Sequence, residues 1–322
     1  MKKVIGIGAA LVDLLVETND AWVLAQGEGK GGMTLVDWPR MDRMLATITQ
    51  SETVPGGSAC NTIRGLSRLG GPSAFLSKVG QDSLGKLFQE SLKSSGVESR
   101  LLEGETPTGC VLSAVTPDAQ RSMYTFLGAS SEVVPTDITP ATFAGIDMLY
   151  IEGYLAYNAP WFTAVIAEAR RLNIPVALDF GAFNVVEHCR SVLDGVFAVA
   201  PLEVLVANED EAKAYTGLEG EEALKKMMPL AKVAVVKLGK EGALLARDGK
   251  IVRVPAFVVK AVDTTGAGDL WAAGFLYAYL EGRSLEGCGM LASRVASEVV
   301  QVMGPMIPDV GWERILASAE YV

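Results

Sequence analysis

From residue 148 onward the chain alternates short, unbroken apolar runs with stretches of helical periodicity, and this rhythm restricts it to one class of fold. The runs lie at 148–151, 176–180, 205–207 and 233–238, and the periodic stretches at 160–172, 209–216 and 221–229. A strand that is apolar at every position has both faces covered, and a helix between successive strands makes them parallel neighbours in one sheet. The expected architecture is α/β, a doubly wound and mostly parallel sheet with helices on both faces. With 322 residues, 49% hydrophobic and 20% charged, the chain can build one large domain with a smaller attachment.

The sheet is expected to open at 4–8. Residues 58–69 and 83–95 read as helices ending at Gly70-Gly71-Pro72 and Gly96, with a strand at 73–79 between them. Residues 13–55 are Gly-rich and irregular, with one short strand at 33–36. Residues 109–116 and 121–127 form a hairpin through Pro117-Asp118-Ala119-Gln120, and 243–254 form another around Arg247-Asp248-Gly249-Lys250. Two apolar helices, at about 267–281 and 285–303, close the chain. The expected division is an α/β domain of 1–12, 55–98 and 131–322, with 13–54 and 99–130 forming a discontinuous β lid.

Several functions are disfavoured by composition. The net charge of −10, with no run of Lys and Arg, argues against a nucleic-acid partner. No apolar run is long and uncharged enough to span a bilayer. The N-terminus, interrupted by Asp13 and Glu17, reads as a strand and not as a signal peptide. Cys60, Cys110, Cys189 and Cys288 are widely separated, which fits a reducing cytoplasm better than a zinc site or a disulfide framework. The single histidine, His188, reads as a helix-surface residue, so a triad or His-rich metal centre has little to draw on.

Two glycine patterns are decoys. Gly80-Gln81-Asp82-Ser83-Leu84-Gly85-Lys86-Leu87 has the strand-then-helix setting of a P-loop. Leu87, however, stands where a hydroxyl must ligate Mg²⁺, and Asp82 brings a negative charge to the phosphates. Gly6-Ile7-Gly8 lacks the third glycine of a dinucleotide fingerprint.

The stretch that carries chemistry is Asp263-Thr264-Thr265-Gly266-Ala267-Gly268-Asp269, immediately before a helix. Glycines at a helix start let backbone N–H groups approach an anion where the positive end of the helix dipole also points. Phosphoryl transfer places charge on equatorial oxygens, so fixed donors there stabilise the transition state. A carboxylate in the first turn can accept the proton of an attacking hydroxyl.

This segment resembles the C-terminal signature of the ribokinase-like, or PfkB, family of carbohydrate and nucleoside kinases. The resemblance implies Asp269 as catalytic base, the Gly266-Ala267-Gly268 amides as anion hole, and Thr264 on the nucleotide side. Gly56-Gly57-Ser58-Ala59-Cys60-Asn61 is similar to the family's N-terminal signature, which implies that Gly56, Gly57 and Asn61 bind the acceptor. Asn208-Glu209-Asp210-Glu211 matches the N-x-x-E element, with Asn208 on the nucleotide and Glu211 reaching Mg²⁺ through water. Lys237-Leu238-Gly239-Lys240-Glu241-Gly242 resembles the nucleotide-side turn, placing Lys237, Gly239 and Gly242 against ATP. Asp13 occupies the position of a carboxylate that binds sugar hydroxyls.

Arg121 and the pair Tyr154 and Leu155 are similar to the adenosine-kinase branch. There Arg121 would reach from the lid to the phosphates, and Tyr154 and Leu155 would line the base or sugar pocket. The implied activity is ATP- and Mg²⁺-dependent phosphorylation of a nucleoside, adenosine foremost. Ribose, fructose or a keto-deoxy sugar acid is the alternative acceptor. Gly181-Ala182-Phe183-Asn184 matches no substrate subgroup, so Phe183 is open between base stacking and core. A K⁺ requirement near Asp263–Thr265, and the choice between monomer and homodimer, are left open.

Overall fold

The computed structural model describes residues 1–27, 30, 32–48, 52–118 and 120–319, apart from the side chains of 121 and 319. Strand β1 (Val4–Ile7) leads into β2 (Leu11–Glu17), α1 (Asp20–Ala25), β3 (Gly32–Leu35), α2 (Trp38–Leu45) and β4 (Glu52–Gly56). Helix α3 (Ser58–Arg68), β5 (Ser73–Leu76), β6 (Lys78–Val79), α4 (Ser83–Ser94), β7 (Glu98–Ser99) and β8 (Leu102–Glu103) follow. The hairpin is β9 (Gly109–Val115) and β10 (Arg121–Phe126). The alternating region runs β11 (Met148–Glu152), α5 (Ala159–Arg171), β12 (Val176–Asp179), α6 (Phe183–His188), α7 (Arg190–Val199), β13 (Leu202–Asn208), α8 (Glu209–Thr216), α9 (Gly220–Met227) and β14 (Ala231–Lys237). Hairpin β15 (Ala243–Arg247) and β16 (Lys250–Val254) and helices α10 (Ala267–Leu280), α11 (Leu285–Val299) and α12 (Asp309–Ala319) complete it.

The large sheet has the order β16-β15-β14-β13-β12-β11-β1-β5-β7. It is parallel from β14 through β7, and β15 and β16 are antiparallel at one edge. Alternate residues of each apolar run feed opposite cores. Tyr150, Ala177, Val204 and Val235 pack with α3, α10 and α11 on one face. Leu149, Ile151, Leu178, Leu205 and Val236 pack with α5, α7 and α9 on the other. Both faces are therefore covered, as unbroken apolar strands require.

The second sheet has the order β3-β10-β9-β2-β4. Its buried face, including Val12, Leu14, Val16, Leu112 and Tyr124, is covered by Val23 of α1 and by Met41 and Met44 of α2. These elements correct the expectation of an irregular 13–55. Each short helix starts from a side-chain cap, Asn19 accepting from Trp22 N–H and Asp37 from Arg40 N–H, with Pro39 in the first turn of α2.

Four further differences have local causes. The expected 73–79 strand breaks at Ser77, whose hydroxyl accepts from the Ala10 N–H at 3.0 Å. Residues 98–103 pair with β5 and β6. Helices α6 and α7 fill 183–199, where short apolar spacing buries Val185, Val186, Leu193 and Val196. A third closing helix, α12, follows α11, which stops at Val299 with Val300 as its cap instead of running to 303. The P-loop lookalike is structural: Asp82 caps α4 at Gly85 N–H (2.8 Å) and also accepts from the Thr108 N–H (2.7 Å) and hydroxyl (2.8 Å). All four cysteines are free and buried.

Candidate active site

Parallel register brings the carboxyl ends of β1, β11, β12, β13 and β14 to one edge of the sheet, where open α/β folds bind ligands. Glu152 pairs with Asp179 across β11 and β12, and Asn208 with Lys237 across β13 and β14. Polar residues thus end otherwise apolar strands side by side.

The glycine turn enters this edge at the head of α10. Asp263 fixes its approach, accepting from the Thr265 N–H (3.0 Å) and hydroxyl (2.8 Å) with one oxygen and from the Gly304 N–H (2.8 Å) with the other. Gly266 adopts the left-handed region at φ +74°, and a Cβ there would lie 2.6 Å from Pro305 Cβ. Glycine is required on both counts. Ala267 donates its N–H to Thr264 O at 3.1 Å, and both Ala267 and Gly268 line the cleft. Thr264 itself is exposed on the approaching loop.

Lys237 lies beside this head: a Cβ on Gly268 would sit 3.1 Å from its ammonium nitrogen. Its ammonium donates to Asp179 Oδ2 at 2.9 Å. Burial opposes the charge on Lys237, but Asp179, Glu211 and Asp269 outweigh it and hold its pKa above the ordinary lysine value.

Asp269 is the meeting point of two helix heads. Its Oδ1 accepts from the Ser58 hydroxyl at 2.7 Å and its Oδ2 from Asn61 Nδ2 at 2.9 Å, both on α3. The Thr62 hydroxyl donates to the Asp269 carbonyl at 3.0 Å. Protein surrounds the carboxyl while leaving it part-accessible; burial raises its pKa, and the two donors partly offset this.

The cap of α3 is Gly57, at φ +93°, and not Ser58, which is free to face Asp269. Gly57 has no room for a side chain against Ala9 O, and one on Gly56 would collide with Asp13. Asp13 is therefore next to the glycine pair, on the part-exposed face of β2.

Behind this lies Glu152, buried at 1% exposure. It accepts from Ala9 N–H at 2.9 Å and Ala59 N–H at 2.7 Å, tying the exit of β1 to the first turn of α3. Burial drives its carboxyl up to about 7 against the pull of those two donors.

A cleft of about 590 Å³ opens beside the α10 head, lined by Asn208, Lys237, Gly239, Gly242, Gly268 and Trp271. Glu211 is turned away from it. It forms a capping box with Asn208, accepting from Asn208 N–H and Nδ2 at 2.8 Å each, while Glu211 N–H donates to Asn208 Oδ1 at 2.9 Å. Burial raises the Glu211 carboxyl to about 7.

Tyr154 is part-buried and donates its hydroxyl to Gly181 O at 3.1 Å. Leu155 is buried and packs into the core beneath α5. Phe183 is about half exposed at the start of α6, not core. Arg121 lies in β10, with its side chain outside the described residues.

Sequence reasoning passed over Ser58 as a partner of Asp269, and missed Asp179 and Glu152. The available signal for the last two was an acid closing an apolar strand, Leu-Tyr-Ile-Glu and Val-Ala-Leu-Asp.

A carboxylate between two glycine-headed helices, beside a lysine and a cleft at the carboxyl edge of an α/β sheet, is an arrangement that phosphoryl transfer to a hydroxyl can use. The pattern of the pfkB family of carbohydrate kinases matches residues 32–310. The nucleoside kinase of Methanothermobacter thermautotrophicus is 33% identical over 274 residues, 82% of this chain and 84% of that one. The ribokinase of Arabidopsis thaliana is 31% identical over 85% of this chain and 75% of its own length. Among solved structures, adenosine kinase from Sinorhizobium meliloti superposes with a TM-score of 0.87 at 34% identity, covering 99% of both chains. A probable sugar kinase from Rhizobium etli gives 0.89 at 31%, covering 100% of this chain and 99% of its own. The chain belongs to the pfkB family of carbohydrate kinases, and it is an ATP-dependent phosphotransferase with an alcohol group as acceptor, a nucleoside or sugar kinase.

Proposed function

We propose that the chain transfers the γ-phosphoryl group of ATP to a ribose hydroxyl of a nucleoside, adenosine foremost, with Asp269 as general base. The observation that carries this reading is the placement of Asp269, held by Ser58 and Asn61 on one side and flanked by Gly268 and Lys237 on the other. A hydroxyl arriving over Gly56, Gly57 and Asn61 meets the carboxylate, while the terminal phosphate meets the α10 amides and the Lys237 ammonium. Deprotonation and charge stabilisation then act on the same displacement.

The residues fit ATP: unblocked glycine backbone, a helix head and one buried cation face the cleft. Kinases of this family use Mg²⁺, which when bound would offset the negative charge of the phosphates. Both Glu211 oxygens are engaged by Asn208, so that carboxylate would reach such an ion only through water, with Asp179 and Asp269 adding negative charge nearby.

The nucleoside reading draws on the second sheet. Leu15 and Glu17 share the Asp13 face of β2, and they border a hollow of about 1050 Å³ with Trp22, Ile48, Val115 and Met303. The ionisable lining of that hollow among the described residues is Glu17 and Glu52. Apolar walls and acidic groups suit a neutral acceptor carrying a base better than a sugar acid. The small sheet of β2, β3, β4, β9 and β10 acts as a lid that excludes water during transfer, whereas residues 98–103 pair with β5 and β6. No helix among the described residues is long and apolar enough to cross a membrane, and a cytoplasmic site of action is part of this proposal.

A thermal-shift panel with a non-hydrolysable ATP analogue and Mg²⁺ tests the acceptor. Adenosine is expected to raise the melting temperature most; stabilisation by ribose or fructose with none by nucleosides would replace the nucleoside reading by the sugar one. A second expectation concerns pH. Asp269 works as the ionised form, so kcat/KM falls as pH drops through its pKa. Since burial raises that pKa, the acid limb lies above the ordinary aspartate range. A pH–rate profile with its acid limb at the ordinary aspartate position would contradict the assignment.

A further inference from the structure

Asp179 ends β12 almost fully buried, and its two oxygens serve opposite halves of the site. Oδ2 accepts from the Lys237 ammonium at 2.9 Å, and Oδ1 accepts from the Gly181 N–H at 3.1 Å. Gly181 O in turn accepts from the Tyr154 hydroxyl at 3.1 Å, and the Tyr154 ring lies against Gly181 so closely that a Cβ there would come within 2.9 Å of it.

Lysine has a long stem and its ammonium selects no direction by itself. Here the nitrogen is aimed at the α10 head, and Asp179 is the neighbour that fixes it by a hydrogen bond. The nearby Glu211 has both oxygens engaged by Asn208, and Asp269 has its oxygens engaged by Ser58 and Asn61.

We propose that Asp179 is a positioning residue for phosphoryl transfer, holding the Lys237 ammonium at the anion-binding head of α10 while its other oxygen fixes the Gly181 turn under Tyr154. One buried carboxylate thereby sets the nucleotide-side cation and an acceptor-side wall in a common frame. This rests on the kinase reading above, in which Lys237 meets the terminal phosphate.

The test compares wild type, Asp179→Asn, Lys237→Met and the double variant by turnover with ATP and adenosine, and by titration with the non-hydrolysable analogue AMP-PNP and Mg²⁺. Asparagine keeps an oxygen for Gly181 but turns an amide donor, without countercharge, toward Lys237. The expected loss in kcat is about 30-fold, from misplacing one charge-stabilising group. In the Lys237→Met background the same change is expected to cost less than about 3-fold, because residues acting as one unit are not additive.

Equal losses in both backgrounds, or full turnover in Asp179→Asn, would overturn the inference. Asp179→Glu guards against a purely structural effect. A countercharge role predicts that Glu recovers more turnover than Asn, whereas a role limited to capping the Gly181 turn predicts the reverse. If wild type turns over no nucleoside or sugar, the kinase reading fails on its own. The AMP-PNP titration then still decides: loss of affinity in Asp179→Asn only when Lys237 is present supports the pairing, and unchanged affinity refutes it.

Discussion

Asp269→Asn is expected to lower kcat by roughly 1,000- to 10,000-fold while leaving AMP-PNP affinity nearly unchanged. The substitution removes the one carboxylate placed between the head of α3 and the head of α10. Asn can still accept from Ser58 through its oxygen, so the local packing survives. Its amide group would face the donor of Asn61, however, and it cannot take a proton from an attacking hydroxyl. The cleft residues Lys237, Gly239, Gly242 and Gly268, which the proposal assigns to the nucleotide, are untouched, which is why binding should persist. Steady-state turnover and calorimetric titration separate the two quantities. Turnover within tenfold of wild type would end the assignment of Asp269 as base.

Glu152→Leu is expected to cost about 3 kcal/mol of folding stability, because it leaves the Ala9 and Ala59 N–H groups buried without acceptors. Leucine fills most of the space, so the loss reports the unpaired amides more than a cavity. Glu152→Gln, which keeps one acceptor oxygen, is expected to lose less. The effect extends to catalysis, since Ala59 follows Ser58 and lies two residues before Asn61 in the first turn of α3. A shift of that turn moves both partners of Asp269. Urea denaturation measures the first effect and kcat the second. A Leu variant as stable as wild type would show that the two amides find other partners.

The glycine turn before α10 and the N-x-x-E element at 208–211 were legible as motifs because each is set by residues close in the chain, although the capping box that the second forms was not read. Gly266 needs its left-handed backbone, and Asn208 finds Glu211 three positions on. Apolar runs in the alternating half were legible for the same reason, since burial on both faces of a strand is written in successive residues. The region 13–55 was harder. Its helices α1 and α2 are only six and eight residues long, and each is held by one cap and by packing on the small sheet. Helices α6 and α7 were obscured because they meet at one shared cap residue, Cys189, and neither start carries a side-chain cap.

Local chemistry was thus enough to indicate an α/β chain with a glycine-rich helix head and a carboxylate beside it. It could not establish which groups hold that carboxylate. Ser58 looked like an ordinary helix start until its hydroxyl was found on Asp269, 211 positions away, with Gly57 serving as the cap. Asp179 and Glu152 are two strand-ending acids of the same local appearance. One faces an ammonium and the other two amides only because parallel strands align β11, β12 and β14 at one edge. Contacts of that separation depend on how the sheet is ordered and how two helix heads converge, and neither is a property of neighbouring residues.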